Sequence, residues 1–357
     1  MPPAGRTGPR FRQAPNPFTC GGPGLSARIC VFGAGAIGGY LAARLAGAGH
    51  EVCCVARGTH LAAMQSGGLR LIEAQRETCV DLDCTESAAE LGRQDFVFVT
   101  LKTNALPAAA AGIAGLLGPA TTIVTAQNGV PWWYFFGAAP PQGEPHLVSV
   151  DPGGRLWHAL GPHRAVGAVI YPSAEIVRPG VVRHVFGDRI ALGEPDGGHS
   201  DRLAEVVRLL RESGLSAEAT DNIRGELWLK LSVNAALNPL SLIRGTPIAN
   251  ILEDDVDRLY LTRLIREAQH VARSLGIAPL MSAEELVESL HRFGEHKTSM
   301  LTDYERGRPL ELEALTGAVL EIADRMQTPV TELRDLWARV SSLPVPNRWS
   351  TGPDDAE

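Results

Sequence analysis

The feature that most constrains this chain is a short glycine turn, Gly33-Ala34-Gly35-Ala36-Ile37-Gly38. It lies between an apolar run, Arg28-Ile29-Cys30-Val31-Phe32, and a stretch of small residues at 36–46. GxGxxG alone is a weak signal in a chain with 38 glycines, and its setting between strand and helix gives it meaning. In that setting the first glycine makes the tight turn, the second lets backbone N–H groups approach a pyrophosphate, and the third lets the helix pack closely. Gly33, Gly35, Ala36, Ile37 and Gly38 are therefore the expected cradle of a dinucleotide. An ordinary glycine-rich turn is the alternative, and the small residues Gly38, Gly39, Ala42, Ala43 and Ala46 on the following helix weigh against it.

Further apolar runs at 51–56, 96–101 and 121–126, with an Ala-rich helix at 108–117, predict short parallel strands covered on both faces. This is an α/β, Rossmann-type doubly wound sheet. Strand patterns at 165–171, 181–186, 189–192 and 215–219 and a helix at 200–213 complete this half. From about Asp221 strand-like runs vanish, and helical periodicity marks 222–243, 254–275, 283–296, 311–326 and 331–341. The expected organisation is an extension at 1–27, a sheet domain at 28–221, an all-α C-terminal domain at 222–342 and a tail at 343–357. The extension holds no acid and is rich in Pro, Gly and Arg, which fits disorder or a mis-called start.

Composition excludes several function classes. Thirty-three Lys and Arg against forty Asp and Glu leave a net charge of −7, which argues against a general binder of nucleic acid or of anionic membranes. The cysteines (Cys20, Cys30, Cys53, Cys54, Cys79 and Cys84) show no CxxC spacing, and reduced thiols in a cytoplasmic protein are the simplest reading, without metal or disulfide roles. The longest uncharged stretch, 103–143, is cut by Pro107, Pro119 and Pro131 into pieces shorter than the roughly 20 apolar residues a membrane span needs.

The second strand points to one nicotinamide cofactor over the other. An NAD site places a carboxylate at the carboxyl end of that strand, where this chain has Arg57. Glu51 opens the strand instead, about 20 Å away at ~3.3 Å per residue. A guanidinium there suits a 2′-phosphate, hence NADPH, although a solvated surface arginine is the plain alternative. Ligands of open parallel sheets bind outside the strands' carboxyl ends. Lys102 and Asn128 stand at two such ends, the first suited to phosphate or substrate, the second offering a donor and an acceptor. A solvated lysine and an Asn-Gly turn are the alternatives.

The helical half adds polar groups. Lys230, Asn234 and Asn238 follow i, i+4, i+8 spacing and form one row on a helix otherwise covered by Leu227, Trp228, Leu231, Val233 and Leu237. Buried polar groups need partners; a bound substrate or a structural ladder to backbone would serve. Ser299, Asp303 and Glu311 lie further on; turn capping is open to the first two, and an N-terminal helix charge favoured by the macrodipole to Glu311.

Residues from Arg28 to about Arg339 resemble the ketopantoate reductase (2-dehydropantoate 2-reductase) family. The likeness rests on Gly33 to Gly38, Arg57-Gly58, Leu101-Lys102, Gln127-Asn128-Gly129, the block from Asn222 to Pro239, Thr298-Ser299-Met300 and Arg308-Pro309-Leu310-Glu311. The resemblance implies NADPH-dependent reduction of a 2-oxo acid, 2-dehydropantoate to pantoate on the way to pantothenate and coenzyme A, in an interdomain cleft. It implies Lys230 and Glu311 as catalytic residues, Asn128, Asn234, Asn238 and Ser299 as substrate ligands, and Lys102 as a lysine facing cofactor and cleft. A homodimer is left open. One stretch departs from the pattern: Trp132-Trp133-Tyr134-Phe135-Phe136 follows Asn128-Gly129, as an apolar pocket wall, an oligomer contact or a buried cluster. A relative acting on another 2-oxo acid or ketone, and a non-catalytic NADPH sensor, are the competing readings.

Overall fold

The computed structural model describes residues 27–138, 140 and 143–344. The expectations for 1–26 and for 345–357 lie outside those residues.

Apolar runs bounded by turns form the first half: β1 (Arg28–Phe32), α1 (Ala36–Gly47), β2 (Glu51–Val55), α2 (Gly58–Gly67), β3 (Leu69–Glu73), β4 (Arg76–Val80), β5 (Asp83–Thr85), β6 (Gln94–Val99), α3 (Leu106–Gly115), β7 (Leu117–Thr125), α4 (Arg155–Leu160), β8 (Ala165–Ile170), β9 (Ser173–Arg178), β10 (Val181–Phe186), β11 (Arg189–Gly193), α5 (Asp201–Glu212) and β12 (Ser216–Ala219). The main sheet has the order β12-β11-β8-β7-β6-β1-β2-β5. Its strands from β8 to β5 are parallel, whereas β11 runs antiparallel to β8. The doubly wound sheet is therefore present, with an antiparallel step towards one edge.

A second sheet, β4-β3-β10-β9, covers the outer side of α1, which packs on strands of both sheets. Strand β10 belongs to this second sheet, and the hairpin β3–β4 and strand β9 were not legible in the sequence. In β4 and β9 no residue is buried, so the hydrophobic alternation that reveals a strand is weak there.

The second half is helical: α6 (Ile223–Arg244), α7 (Ile248–Glu253), α8 (Asp255–Ser274), α9 (Ala283–Ser289), α10 (Ser299–Glu305), a π-helical turn (Glu313–Gly317) leading into α11 (Ala318–Arg325), and α12 (Thr331–Ser341). The helix expected over 283–296 is shorter: α9 passes into a 3₁₀ turn, and Gly294 takes a positive φ of 50°. Alternation along β1 joins the halves. Ile29 and Val31 face the core around α1, while Cys30 and Phe32 face a core that continues into the helical half.

The π turn has a visible cause. The Val130 N–H donates to the Ala314 carbonyl at 3.0 Å, so a loop of the sheet domain bonds into the helix ladder. Gly129 makes this approach possible: its φ is +88°, and a Cβ there would lie 2.3 Å from the Ala314 oxygen. Gly129→Ala should therefore destabilise the protein by about 2 kcal/mol or more in urea unfolding. Unchanged stability would contradict the close contact.

Candidate active site

The site is built at the carboxyl ends of the parallel strands. The glycine turn hangs from β2, with the N–H groups of Gly33 and Ala34 both donating to the Val55 carbonyl at 3.0 Å. Gly38 packs so tightly that a Cβ would lie 2.2 Å from the Gly33 oxygen and 2.5 Å from Thr100 Oγ1. Gly35 is different, because nothing lies within 4 Å of where its Cβ would be. It is also the N-cap of α1, which carries no side-chain cap and no acid in its first turn. The N–H groups at Ala36 and Ile37 thus open onto clear space at the positive end of a helix, the arrangement a pyrophosphate fits.

Arg57 is exposed at the N-cap of α2, and its side chain makes no hydrogen bond or ion pair with any described residue. Glu51 opens β2 and pairs with Arg28 at 3.8 Å. At the end of β2 the group on offer is therefore a free guanidinium.

A second cluster forms where the halves meet. Asn222 caps α6 by accepting the Gly225 N–H, and this helix carries Lys230 to the ends of β7 and β8. There Lys230 Nζ donates to Asn128 Oδ1 at 3.0 Å and to the Ile170 carbonyl. Glu311 comes from the segment ahead of the π turn, and its Oε1 accepts the Thr103 N–H at 3.2 Å. Thr103 in turn donates its hydroxyl to the Asn128 carbonyl at 3.3 Å. Lys102 reaches across to Asp303 Oδ2 at 2.7 Å and to the Pro309 carbonyl at 3.1 Å. In this structure it ties the halves together.

These contacts set the proton affinities. Burial lowers the Lys230 pKa to about 8, and the Glu311 carboxylate works against that fall. Burial raises Glu311 above the usual carboxylate range, opposed by the Thr103 N–H, the Lys102 charge and the Asn128 side chain. Asn128 thus mediates between an amine and a carboxylate whose affinities have moved towards each other.

The remaining expected residues divide. Neither Asn234 nor the buried Asn238 hydrogen-bonds another described residue through its side chain, so within the row only Lys230 is tied to neighbouring backbone, at the Ile170 carbonyl. Ser299 is exposed at the start of α10, which is capped by Thr298 through the Leu301 N–H, so Ser299 has no capping role. The aromatic run is a buried cluster: Trp133 donates to Thr125 Oγ1 at 2.8 Å and Trp228 to the Tyr134 hydroxyl at 2.6 Å. Arg224 closes that cluster by binding the carbonyls of Tyr134 and Phe136. Arg57 stands apart from the lysine cluster, at the end of β2. Tyr171, beside Lys230, was not anticipated, although its place directly after β8 follows the strand-end rule that nominated Lys102 and Asn128.

Comparison with known proteins decides the family. A profile described as "Ketopantoate reductase PanE/ApbA" matches residues 29–197, and the one for its C terminal part matches residues 222–343. The chain belongs to the ketopantoate reductase family. A 2-dehydropantoate 2-reductase of this family from Mesorhizobium japonicum is 44% identical over 319 residues, covering 89% of this chain and 98% of that protein. A solved structure from Ralstonia solanacearum MolK2 is 40% identical with a TM-score of 0.83, covering 88% of this chain and 97% of its own. D-mandelate dehydrogenase, solved with NADH and anilino(oxo)acetate, is 19% identical with a TM-score of 0.75 and shares the fold; the match covers 88% of this chain and 97% of that one.

The lowered affinity of Lys230 is also a statement about stability. The folded chain binds this proton less tightly than the unfolded chain, so below about pH 8 the lysine is a net cost, and its contribution improves as pH rises from 8 towards 10.5. Lys230→Met should keep or raise the melting temperature at pH 7, with the gain shrinking as pH rises above about 8. A fall of several degrees at pH 7 would show that the amine is not buried against its preference.

Proposed function

We propose that the protein is an NADPH-dependent 2-dehydropantoate 2-reductase, an oxidoreductase that acts on CH–OH groups and converts the 2-oxo acid to pantoate. The observation that carries this reading is the meeting of Lys230, Asn128 and Glu311 at the strand ends that also bear the glycine cradle. The names of its curated relatives support the substrate. Gly33 to Gly38 would take the pyrophosphate, Arg57 the 2′-phosphate and Lys102 the cofactor side of the cleft. When bound, NADPH supplies the hydride.

The protein's own residues do the rest. Charge that develops on the substrate's carbonyl oxygen is met by the Lys230 ammonium, which donates a hydrogen bond and then its proton. Glu311, through Asn128, keeps that ammonium oriented. Asn234, Asn238 and Ser299 would bind the substrate's polar groups, the two amide side chains having no hydrogen-bond partner among the described residues. The free thiols of Cys30, Cys53, Cys54, Cys79 and Cys84 suit the cytoplasm, and no helix among the described residues is long and apolar enough to cross a membrane.

The test follows NADPH oxidation with 2-dehydropantoate and a panel of other 2-oxo acids. Lys230→Ala should lose at least about 10²-fold in kcat. Because only the ammonium has a proton to give, kcat should decline above about pH 8. An active alanine variant would remove Lys230 from the chemistry, and faster turnover of another acid would replace the substrate. Arg57→Ala should raise KM for NADPH by roughly tenfold and leave NADH nearly unaffected. Equal effects on both cofactors would refute the phosphate assignment.

A further inference from the structure

Tyr171 has no role in the reading above, yet it is bound from every side. Its N–H donates to the Arg189 carbonyl at 3.1 Å, and its hydroxyl donates to Glu226 Oε2 at 2.9 Å. Glu226 lies one helical turn before Lys230 on α6 and takes two bonds from the Arg189 guanidinium, at 3.0 and 2.8 Å. Two cations lie over the Tyr171 ring, with Arg189 Cζ 4.9 Å and Lys230 Nζ 5.9 Å from its centroid. The preceding residue, Ile170, offers its carbonyl to the same ammonium.

We propose that Tyr171 is a positioning residue for the reducing site: its ring face and the neighbouring Ile170 carbonyl fix Lys230 Nζ, and its hydroxyl, tethered to Glu226 and Arg189, fixes the ring. This rests on Lys230 being the proton donor. The direction of the tether is set by its surroundings. Burial keeps the phenol protonated and hence a donor. Burial pushes Glu226 up, but Arg189 and Tyr171 outweigh it and hold it as a carboxylate. The charged and titratable groups around Lys230 are then Glu311 ahead of the π turn, Glu226 on α6 itself, Arg189 on β11 and Tyr171 after β8. Lys102 and Asp303 act on Glu311.

An aromatic face favours the charged form of an amine, so losing it should make the ammonium easier to deprotonate. The test is the pH profile of kcat for Tyr171→Leu and Tyr171→Phe, with KM for NADPH and the melting temperature recorded alongside. In Tyr171→Leu the alkaline midpoint should move down by about half a pH unit, and kcat at pH 7 should fall roughly tenfold. Tyr171→Phe keeps the ring without the tether. Its midpoint should stay near that of the parent while kcat falls about threefold. KM for NADPH should hold in both, since the nucleotide cradle is untouched.

A leucine variant with the parent's midpoint and kcat overturns the proposal. If that variant does not fold, Glu226→Ala removes the acceptor and cuts the tether from the other side, and unchanged kcat there overturns it equally. Lys230→Ala run in parallel separates the two failures. Retained turnover in it defeats the proton-donor reading, whereas a dead Lys230→Ala beside a normal Tyr171→Leu defeats only the positioning role.

Discussion

An ammonium withdrawn from water has to be met by oxygen atoms from more than one part of a fold, and in this protein that requirement joins the two halves. Lys230 belongs to the helical domain, and both of its acceptors, Asn128 Oδ1 and the Ile170 carbonyl, belong to the sheet domain. Glu311 repeats the pattern in reverse, since a carboxylate of the helical domain accepts the Thr103 N–H of the sheet domain. Each charged group is thus held by the other domain, and their relative position is only as good as the junction between the halves.

That junction is built for close approach. Gly129 lets the Val130 N–H reach the Ala314 carbonyl, and the helix widens into a π turn where it is met. Lys102 and Asp303 add an ion pair of mixed exposure between the two halves, worth less than its geometry suggests because water reaches it. A continuous apolar core runs beneath, from Cys30 and Phe32 of β1 to Leu333 and Leu336 of α12. The polar contacts therefore rest on a rigid base, which is how a site holds a costly charge without moving to relieve it.

Much of this was legible from residues alone, and for a physical reason. The glycine turn has steric demands that few sequences meet: Gly38 admits no Cβ, and Gly35 opens onto empty space. The row Lys230, Asn234, Asn238 stood out because helical spacing places polar groups together on an apolar helix. What stayed hidden depends on contacts between distant segments. Nothing local in Thr103 shows that its N–H will bind a residue 208 positions away, and Tyr171 resembles any tyrosine after a strand until Glu226 and Arg189 close on it. The second sheet escaped because β4 and β9 bury no residue fully, which erases the alternating pattern. The aromatic run at 132–136 was open in the sequence to a pocket wall, an oligomer contact or a buried cluster, and Thr125, Trp228 and Arg224 draw it into the interior.

The central claim is that the fold holds one amine at a reduced proton affinity between its two domains. The most direct check is a titration of the Lys230 side-chain nitrogen by NMR in the protein labelled at lysine. The midpoint should fall near pH 8. A midpoint at or above the ordinary lysine value of 10.5 would mean that the amine is solvated, and that the junction described here does not hold it.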